Sequence, residues 1–278
     1  MSRAAVPSNA PVPGSAGAEL PEVTISESDG VRFLHLGTPW IQGAMRIDDP
    51  LDIELEYVQR MMAWLLCRED AAAPRGHAVQ LGLGAGAITR FCLRRLKMRT
   101  TAVELNRRVI DACRHWFRLP EESARFAMLE MDAGAFVADP RRRETIDVLC
   151  VDLYDAEAAG PVLDSAEFYA ACHGALCDGG VMTVNLFGRA ATFERSVERI
   201  VAAFGVDGVR SLKPTREGNS VVIAMKHVTF PGRDELARRA ENIETRWKLP
   251  ARKWLRILRA NPDPSPAATL PLPALPPA

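Results

Sequence analysis

The chain has 278 residues with 35 basic and 35 acidic side chains, 47% hydrophobic residues and 25% charged residues, which is ordinary for a soluble globular protein. The balanced charge gives no electrostatic case for a nucleic-acid partner or an anionic membrane. No apolar run approaches the roughly 20 residues of a membrane-spanning helix, and the N-terminus lacks the apolar core of a signal peptide. We therefore expect a cytoplasmic protein.

The N-terminal part of the chain predicts a tail and a small β unit. Residues 1–20 predict a disordered tail, and residues 21–50 predict the β unit. Within it, Ser28–Gly30 separates two alternating runs, which is typical of a hairpin, and Trp40–Ile47 predicts a third strand. Such a unit is too small to bury a core alone. We expect it to pack on the main domain or to pair with a second subunit in a homodimer.

Residues 51–228 predict an α/β domain in which five βα units are followed by two strands around a turn at Arg216–Asn219. The predicted strands are Val79–Leu83, Thr100–Val103, Arg125–Met131, Ile146–Val151, Val181–Leu186, Gly208–Leu212 and Ser220–Met225. The predicted helices among them include Asn106–Phe117, Ala133–Ala138, Ser165–Leu176 (stopped by Asp178–Gly180) and Ala190–Phe204. A mostly parallel seven-stranded sheet with a terminal antiparallel hairpin is typical of the Rossmann-like S-adenosylmethionine methyltransferase fold.

A glycine turn follows the first strand of this domain. Gly82, Gly84 and Gly86 allow a sharp backbone turn, and they let a ligand approach main-chain N–H groups without meeting a Cβ. The next predicted strand ends in Glu104. A strand, a glycine turn, a helix and a strand ending in an acid predict a nucleoside site, in which the turn faces the charged part of the ligand and the acid accepts from the ribose hydroxyls.

Acidic residues end three consecutive predicted strands: Glu104, Asp132 and Asp152. For Asp132 taken alone, a helix N-cap explains the residue equally well. Three acids around one crevice, followed by Asp155 and Glu157 on the next loop, are harder to explain by capping. An acid-rich loop beside a nucleoside pocket suits a cationic co-substrate.

Residues 23–225 resemble the spermidine synthase (polyamine aminopropyltransferase) family. The matching stretches are WIQGAMRIDDP, GLGAGA, VELN, MDAGAF, VDLYD and SAEFYAACHGALCDGGVM, together with the tyrosine Tyr57 that opens a helix. The resemblance implies a transferase that moves an aminopropyl group from decarboxylated S-adenosylmethionine to a diamine such as putrescine. It implies that Glu104 binds the ribose and that Asp132, with the backbone of Ala133, meets the adenine.

The same resemblance places the acceptor amine between Asp152 and Asp155, with Gln42 and Tyr57 closing the pocket from the β unit. We assign the proton acceptor to Asp152, because it is nearest the strand end, and the orienting role to Asp155. The family usually carries an aspartate where Ala85 stands. The sequence therefore leaves the identity of the donor open between decarboxylated and ordinary S-adenosylmethionine. The acid expected shortly after the tyrosine is also replaced.

Three other functions are open to this sequence. A methyltransferase shares the fold and needs no aspartate at position 85. An NAD-dependent oxidoreductase is compatible with the glycine spacing, although the terminal hairpin and Asp132 argue against it. A relative that binds nucleoside without catalysis fits the two replaced acids.

The remaining features predict structure rather than chemistry. Residues 229–260 predict two basic amphipathic helices with solvated charged faces, and residues 261–278 predict a proline-rich disordered tail. The five histidines have no metal-ligand spacing, so we expect no metal. The six cysteines contain no CxxC pair and predict reduced core side chains.

Overall fold

The computed structural model describes residues 20–69, 75–154, 163–187 and 190–260. The two predicted disordered tails lie outside these residues, apart from Leu20. The described residues form a small antiparallel sheet and a large mixed sheet flanked by helices. Within them, no helix is both long enough and apolar enough to cross a membrane.

The small sheet contains the N-terminal strands. They are β1 Val23–Ser28, β2 Val31–Leu36 and β3 Gly43–Arg46, paired antiparallel in that order. Asp29 and Gly30 form the two-residue turn with φ of +52° and +76°, the left-handed conformation of tight hairpins. The predicted hairpin and third strand are confirmed. Leu34 and Met45 of this sheet are buried in one cluster with Phe117 of the main domain, so the unit packs on that domain.

The large sheet has eight strands among the described residues. They are β4 His77–Leu81, β5 Arg99–Glu104, β6 Phe126–Glu130, β7 Ile146–Val151, β8 Leu176–Phe187, β9 Val209–Leu212, β10 Asn219–Met225 and β11 Leu258–Ala260. The spatial order is β11-β9-β10-β8-β7-β4-β5-β6, in which β4 to β8 are parallel and β10 is antiparallel to both its neighbours. This arrangement confirms the predicted parallel sheet with its terminal hairpin, and β11 adds an eighth strand to the seven predicted.

Helices cover both faces of the sheet. They are α1 Glu56–Met61 (continued by a 3-10 helix, Met62–Cys67), α2 Ala87–Arg90 (continued by a π-helical turn, Phe91–Arg95), α3 Arg107–Trp116, α4 Ala133–Ala138, α5 Ala166–Ala175, α6 Ala190–Phe204, α7 Arg233–Trp247 and α8 Ala251–Ile257. Side chains alternate along each strand, so α1, α7 and α8 share one core while α4, α5 and α6 share the other. The six cysteines form no disulfide, and five of them are buried.

The two C-terminal helices are amphipathic, as predicted. Their apolar side chains, including Ile243 and Trp254, are almost fully buried in the core of one sheet face. Trp254 is therefore an anchor within this chain. The second helix ends at Ile257, before the predicted boundary at residue 260, because Leu258–Ala260 pairs antiparallel with β9 and covers the exposed edge of that strand.

The predicted stop signal at Asp178–Gly180 is wrong. α5 ends at Ala175, and these three residues lie inside β8, where the register with β7 shifts. Gly179 takes a φ of +72°, and its N–H donates to the carbonyl of Lys226 beyond the end of β10 at 3.0 Å. The contact with the end of β10, far along the chain, thus determines that Asp178–Gly180 is part of a strand. The tripeptide by itself did not indicate this.

Candidate active site

The carboxyl ends of three neighbouring strands lie side by side in the large sheet. Gly82 N donates to the carbonyl of Val103 at 2.9 Å, and Asp152 N donates to the carbonyl of Leu81 at 2.9 Å. Gly82, Glu104 and Asp152 therefore occupy adjacent positions where β4, β5 and β7 end. This edge is where open α/β sheets bind their ligands.

The glycine turn needs its glycines for two physical reasons. Gly82, Gly84 and Gly86 have φ of +82°, +50° and +70°, which side chains with a Cβ rarely adopt. A Cβ on Gly82 would lie 2.0 Å from the carbonyl oxygen of Asp152, and a Cβ on Gly84 would lie 3.0 Å from that of Gln42. The turn is thus in close backbone contact with the loop after β7 on one side and with the N-terminal unit on the other.

The N-terminal unit reaches the turn through Gln42 and Gly43. A Cβ on Gly43 would lie 2.3 Å from the backbone nitrogen of Ala85, so only glycine fits there. Ala85 is 2% exposed as a result. The sequence prediction that Gln42 closes the pocket from the β unit is compatible with this position.

The side chain of Gln80 holds the glycine turn by hydrogen bonds. The sequence analysis did not identify this residue. Its side chain is buried in β4, where Nε2 donates to the carbonyl of Gly82 at 2.8 Å and to that of Leu83 at 3.1 Å. Its Oε1 accepts from the backbone N and the hydroxyl of Thr89 in α2 at 3.0 and 2.7 Å. An amide within an apolar strand is the signal that could have found it.

Glu104 faces the glycine turn. One carboxylate oxygen accepts from Leu83 N at 2.9 Å, and the other accepts from Asn106 N at 2.8 Å. Burial raises the pKa of the Glu104 carboxyl above its ordinary value, although these backbone donors act in the opposite direction. Each carboxylate oxygen has a further lone pair with which it could accept from the hydroxyls of a ribose.

Asp132 acts as the N-cap of α4. Its Oδ1 accepts from Ala135 N at 2.7 Å, and the residue is exposed. The hydrogen bond from Met131 N to the carbonyl of Glu104, 3.1 Å long, places Asp132 next to the end of β5. The helix N-cap interpretation of Asp132 is confirmed. The proposed contact of adenine with Asp132 and with the backbone of buried Ala133 stays a prediction.

Asp152 is half-buried and bonded by two side chains. Asn185 Nδ2 donates to its Oδ1 at 2.9 Å, and the hydroxyl of Tyr57 forms a second hydrogen bond. Asn185 Oδ1 in turn accepts from Asn219 Nδ2 at 3.2 Å. Burial raises the pKa of Asp152 from 3.8 to about 6, because desolvation outweighs these hydrogen bonds.

The two asparagines were also missed. Asn185 lies at the carboxyl end of β8, beside Asp152, and Asn219 begins β10 directly across from that end. The available signal for Asn185 was a polar residue near the end of the fifth parallel strand. The rule that found the acids, that ligands bind at the carboxyl ends of parallel strands, applies to it as well. Asn219 had no local signal, because only strand pairing brings it there.

One cavity is lined by four of the ten predicted site residues, whereas Gly82, Gly86, Glu104, Asp132 and Ala133 are not part of its lining. Its lining includes Gln42, Tyr57, Gly84 and Asp152, with Ile53, Leu55, Val58, Leu83 and Ile88 among the apolar residues. Asp152 is the one residue with a charged side chain among the described residues that line it. Asp155, the predicted orienting acid, and Glu157 lie outside the described residues. No group of three or more potential metal ligands occurs within the part of the chain described.

Comparison with known proteins gives a consistent picture. Residues 75–196 match the family profile described as spermine/spermidine synthase domain. A polyamine aminopropyltransferase from Neisseria meningitidis serogroup B is 33% identical over 252 residues, which is 89% of this chain and 93% of the relative. A polyamine aminopropyltransferase from Chromobacterium violaceum is 34% identical over 233 residues, covering 83% and 86% of the two chains.

Solved structures share the fold at lower identity. A probable spermidine synthase from Corynebacterium glutamicum superposes with a TM-score of 0.69 at 19% identity, covering 94% of this chain and 100% of that one. Human methyltransferase-like protein 13, solved with SAH, gives 0.61 at 18% identity over 78% and 98% of the chains. A spermidine synthase in complex with the transition state analogue AdoDATO gives 0.57 at 16% identity over 84% of each chain.

Proposed function

This chain belongs to the spermine/spermidine synthase family of polyamine aminopropyltransferases, and we infer that it transfers an aminopropyl group from decarboxylated S-adenosylmethionine to a diamine such as putrescine. The observation that carries this inference is the charge of the cavity. Asp152 supplies a carboxylate, and no lysine or arginine is found among the described lining residues. Such a wall attracts ammonium groups and disfavours carboxylates.

The same charge argument bears on the donor. Ordinary S-adenosylmethionine carries a carboxylate that would enter the cavity without a cationic partner among the described lining residues. The decarboxylated donor presents an aminopropyl group, whose ammonium is compatible with the negative wall. Ala85 offers this ammonium no carboxylate at the glycine turn, so we propose that Asp152 supplies the attraction instead.

We propose that the turn and Glu104 hold the nucleoside half of the donor. Glu104 is fixed by Leu83 N and Asn106 N, which leaves its remaining lone pairs for the ribose hydroxyls. Asp132 and the backbone of Ala133, at the start of α4, are the proposed adenine contacts. Gln42 and Tyr57 would then enclose the reacting part of the donor.

Aminopropyl transfer requires a neutral amine aligned with the carbon next to the sulfonium. An alkylammonium has a pKa near 10.4, so neutralising it at pH 7 costs about 4–5 kcal/mol. With a pKa of about 6, Asp152 is mostly ionised at pH 7 and can accept that proton, which frees the nitrogen lone pair to attack the carbon while the C–S bond breaks and methylthioadenosine leaves. The hydrogen bonds from Tyr57 and Asn185 orient the carboxylate, which keeps the base aligned without further reorganisation.

The direct test is a donor and acceptor panel with the full chain. Decarboxylated S-adenosylmethionine with putrescine should yield spermidine and methylthioadenosine, whereas ordinary S-adenosylmethionine should support less than about 1% of that rate. Products are measured by mass spectrometry with each donor labelled. Methyl transfer from the carboxylated donor would favour the methyltransferase alternative. Methylthioadenosine binding without turnover would favour the non-catalytic alternative.

The pH dependence of this reaction should report Asp152. Free putrescine stays protonated from pH 5 to 8, so it adds no break in that range. Protonation of Asp152 removes the base, so the slope of log(kcat/KM) for the acceptor against pH should be larger by one below about pH 6 than above it. The assay uses saturating donor, so that any effect of Glu104 protonation on donor binding does not enter the pH profile. A profile without a break between pH 5 and 7 would contradict the assigned base.

A further inference from the structure

A second cavity lies beside α2 and the end of α3, outside the site described above. Its volume is about 260 Å³, and its described lining is Pro50, Leu51, Arg90, Arg94, Arg118 and Pro120. Half of this lining is arginine. Neither the aminopropyl transfer nor the nucleoside contacts use these residues.

Arg90 is the buried member of the group. It is 2% exposed, and its Nε donates to the carbonyl of Pro50 at 2.9 Å while Nη1 donates to those of Phe117, at 2.7 Å, and Ala85. Its Nη2 is buried with no hydrogen-bond partner among the described residues. Burial, and then the charge of Arg118, lower the pKa of Arg90 to about 10, so the group stays protonated at pH 7.

The arginines of this cavity form no ion pair in the part of the chain that the structure describes. The partners of Arg90 are neutral carbonyls, and Arg94 and Arg118 form no ion pair with a described carboxylate. The nearby Asp49 pairs with Arg95 at 3.4 Å. Burying the Arg90 guanidinium without a counter-charge is costly, and an anion in the cavity would relieve that cost.

We propose that this arginine cavity binds a phosphate-type oxyanion, either free phosphate or the phosphate group of a small molecule. Planar guanidinium groups donate two parallel N–H bonds to such an anion, which Arg94 and Arg118 can do from the cavity wall, while buried Arg90 adds its positive charge. The cavity exceeds what one phosphate needs, so part of an attached organic group also fits.

Arg90 also links this cavity to the donor pocket. Its partner Ala85 belongs to the glycine turn, and its partner Pro50 begins the segment that carries Ile53 and Tyr57 into the first cavity. An anion that changes the position of Arg90 therefore changes the turn, and the coupling is reciprocal by linkage. The proposal is independent of which group the enzyme transfers.

The binding test uses thermal unfolding and calorimetry of the full chain at constant ionic strength with chloride as the balancing ion. Inorganic phosphate and phenyl phosphate are the two probes, and they distinguish free phosphate from a phosphomonoester. Wild type should show a saturable rise in Tm with at least one of them. In the double variant Arg94→Gln/Arg118→Gln the apparent Kd should weaken at least tenfold. These exposed positions are chosen because a change at Arg90 could unfold the chain.

The matched control is Arg143→Gln/Arg216→Gln, which removes the same charge from two exposed arginines outside the cavity lining. It should respond as wild type does. An equal response in all three proteins, or no saturable response in wild type, would overturn the site.

The link between this cavity and the donor pocket is tested by the Kd of methylthioadenosine. Saturating anion should change this Kd at least threefold in wild type and should leave it unchanged in the cavity variant. An unchanged Kd in wild type would overturn the link, whatever the activity assay shows.

Discussion

Asp152→Asn should lower the turnover number by about 10²–10⁴-fold, because it removes the proposed general base while keeping the shape of the side chain. Asn185 can still donate to the remaining oxygen at position 152, so the network beside the cavity should persist. Binding of methylthioadenosine should change little, because the proposed nucleoside contacts are Glu104 and the glycine turn, which this substitution leaves unchanged. The measurements are kcat at saturating donor and acceptor, and calorimetric binding of methylthioadenosine.

The same variant carries a stability signature. The folded state raises the pKa of Asp152 from 3.8 to about 6, so folded protein binds this proton more tightly than unfolded chain. In wild type this group therefore reduces the free energy of unfolding as the pH rises from about 4 to about 6, and the reduction persists above pH 6. Asp152→Asn lacks this pH-dependent loss of stability. The difference in Tm between the variant and wild type should therefore shift in favour of the variant as the pH rises from about 4 to about 6.

Asp207→Asn is the control, since Asp207 is exposed and lies outside the cavity lining. It should keep wild-type turnover and the wild-type pH dependence of Tm. Near wild-type turnover of Asp152→Asn, with methylthioadenosine still bound, would show that another group accepts the proton.

Gly82→Ala should abolish donor binding and lower the free energy of unfolding by about 2–4 kcal/mol. The new methyl group would lie 2.0 Å from the carbonyl oxygen of Asp152, and the φ of +82° is unfavourable for alanine. The position of a Cβ is fixed by the backbone and the carbonyl oxygen is itself a backbone atom, so no side-chain rotation relieves the clash. Urea unfolding gives the stability, and methylthioadenosine titration gives the binding.

Gly174→Ala is the matched control for that substitution. Gly174 lies in α5, and a Cβ there would meet no atom within 4 Å. Alanine is the better helix former, so this variant should be unchanged or more stable by up to about 1 kcal/mol. Equal stability and binding in Gly82→Ala and wild type would show that the turn can move away from Asp152.

The fold and the location of the site follow from local sequence patterns. Strand runs, helical periodicity and the hairpin signals at Asp29–Gly30 and Arg216–Asn219 each depend on residues close together in the chain. The rule that ligands bind at the carboxyl ends of parallel strands then places Glu104 and Asp152 at one edge. Both of these inferences need no knowledge of distant contacts, and the structure agrees with them.

The tertiary structure alone decided how those residues are held and charged. Asn185 and Asn219 meet Asp152 only because β8 and β10 pair, and the burial that raises the pKa of Asp152 is a property of the packed sheet. The same holds for the arginine cavity, which joins residues from three separate segments. Sequence patterns specify which atoms the chain carries at each position, whereas desolvation and partners depend on which distant segments pack around them.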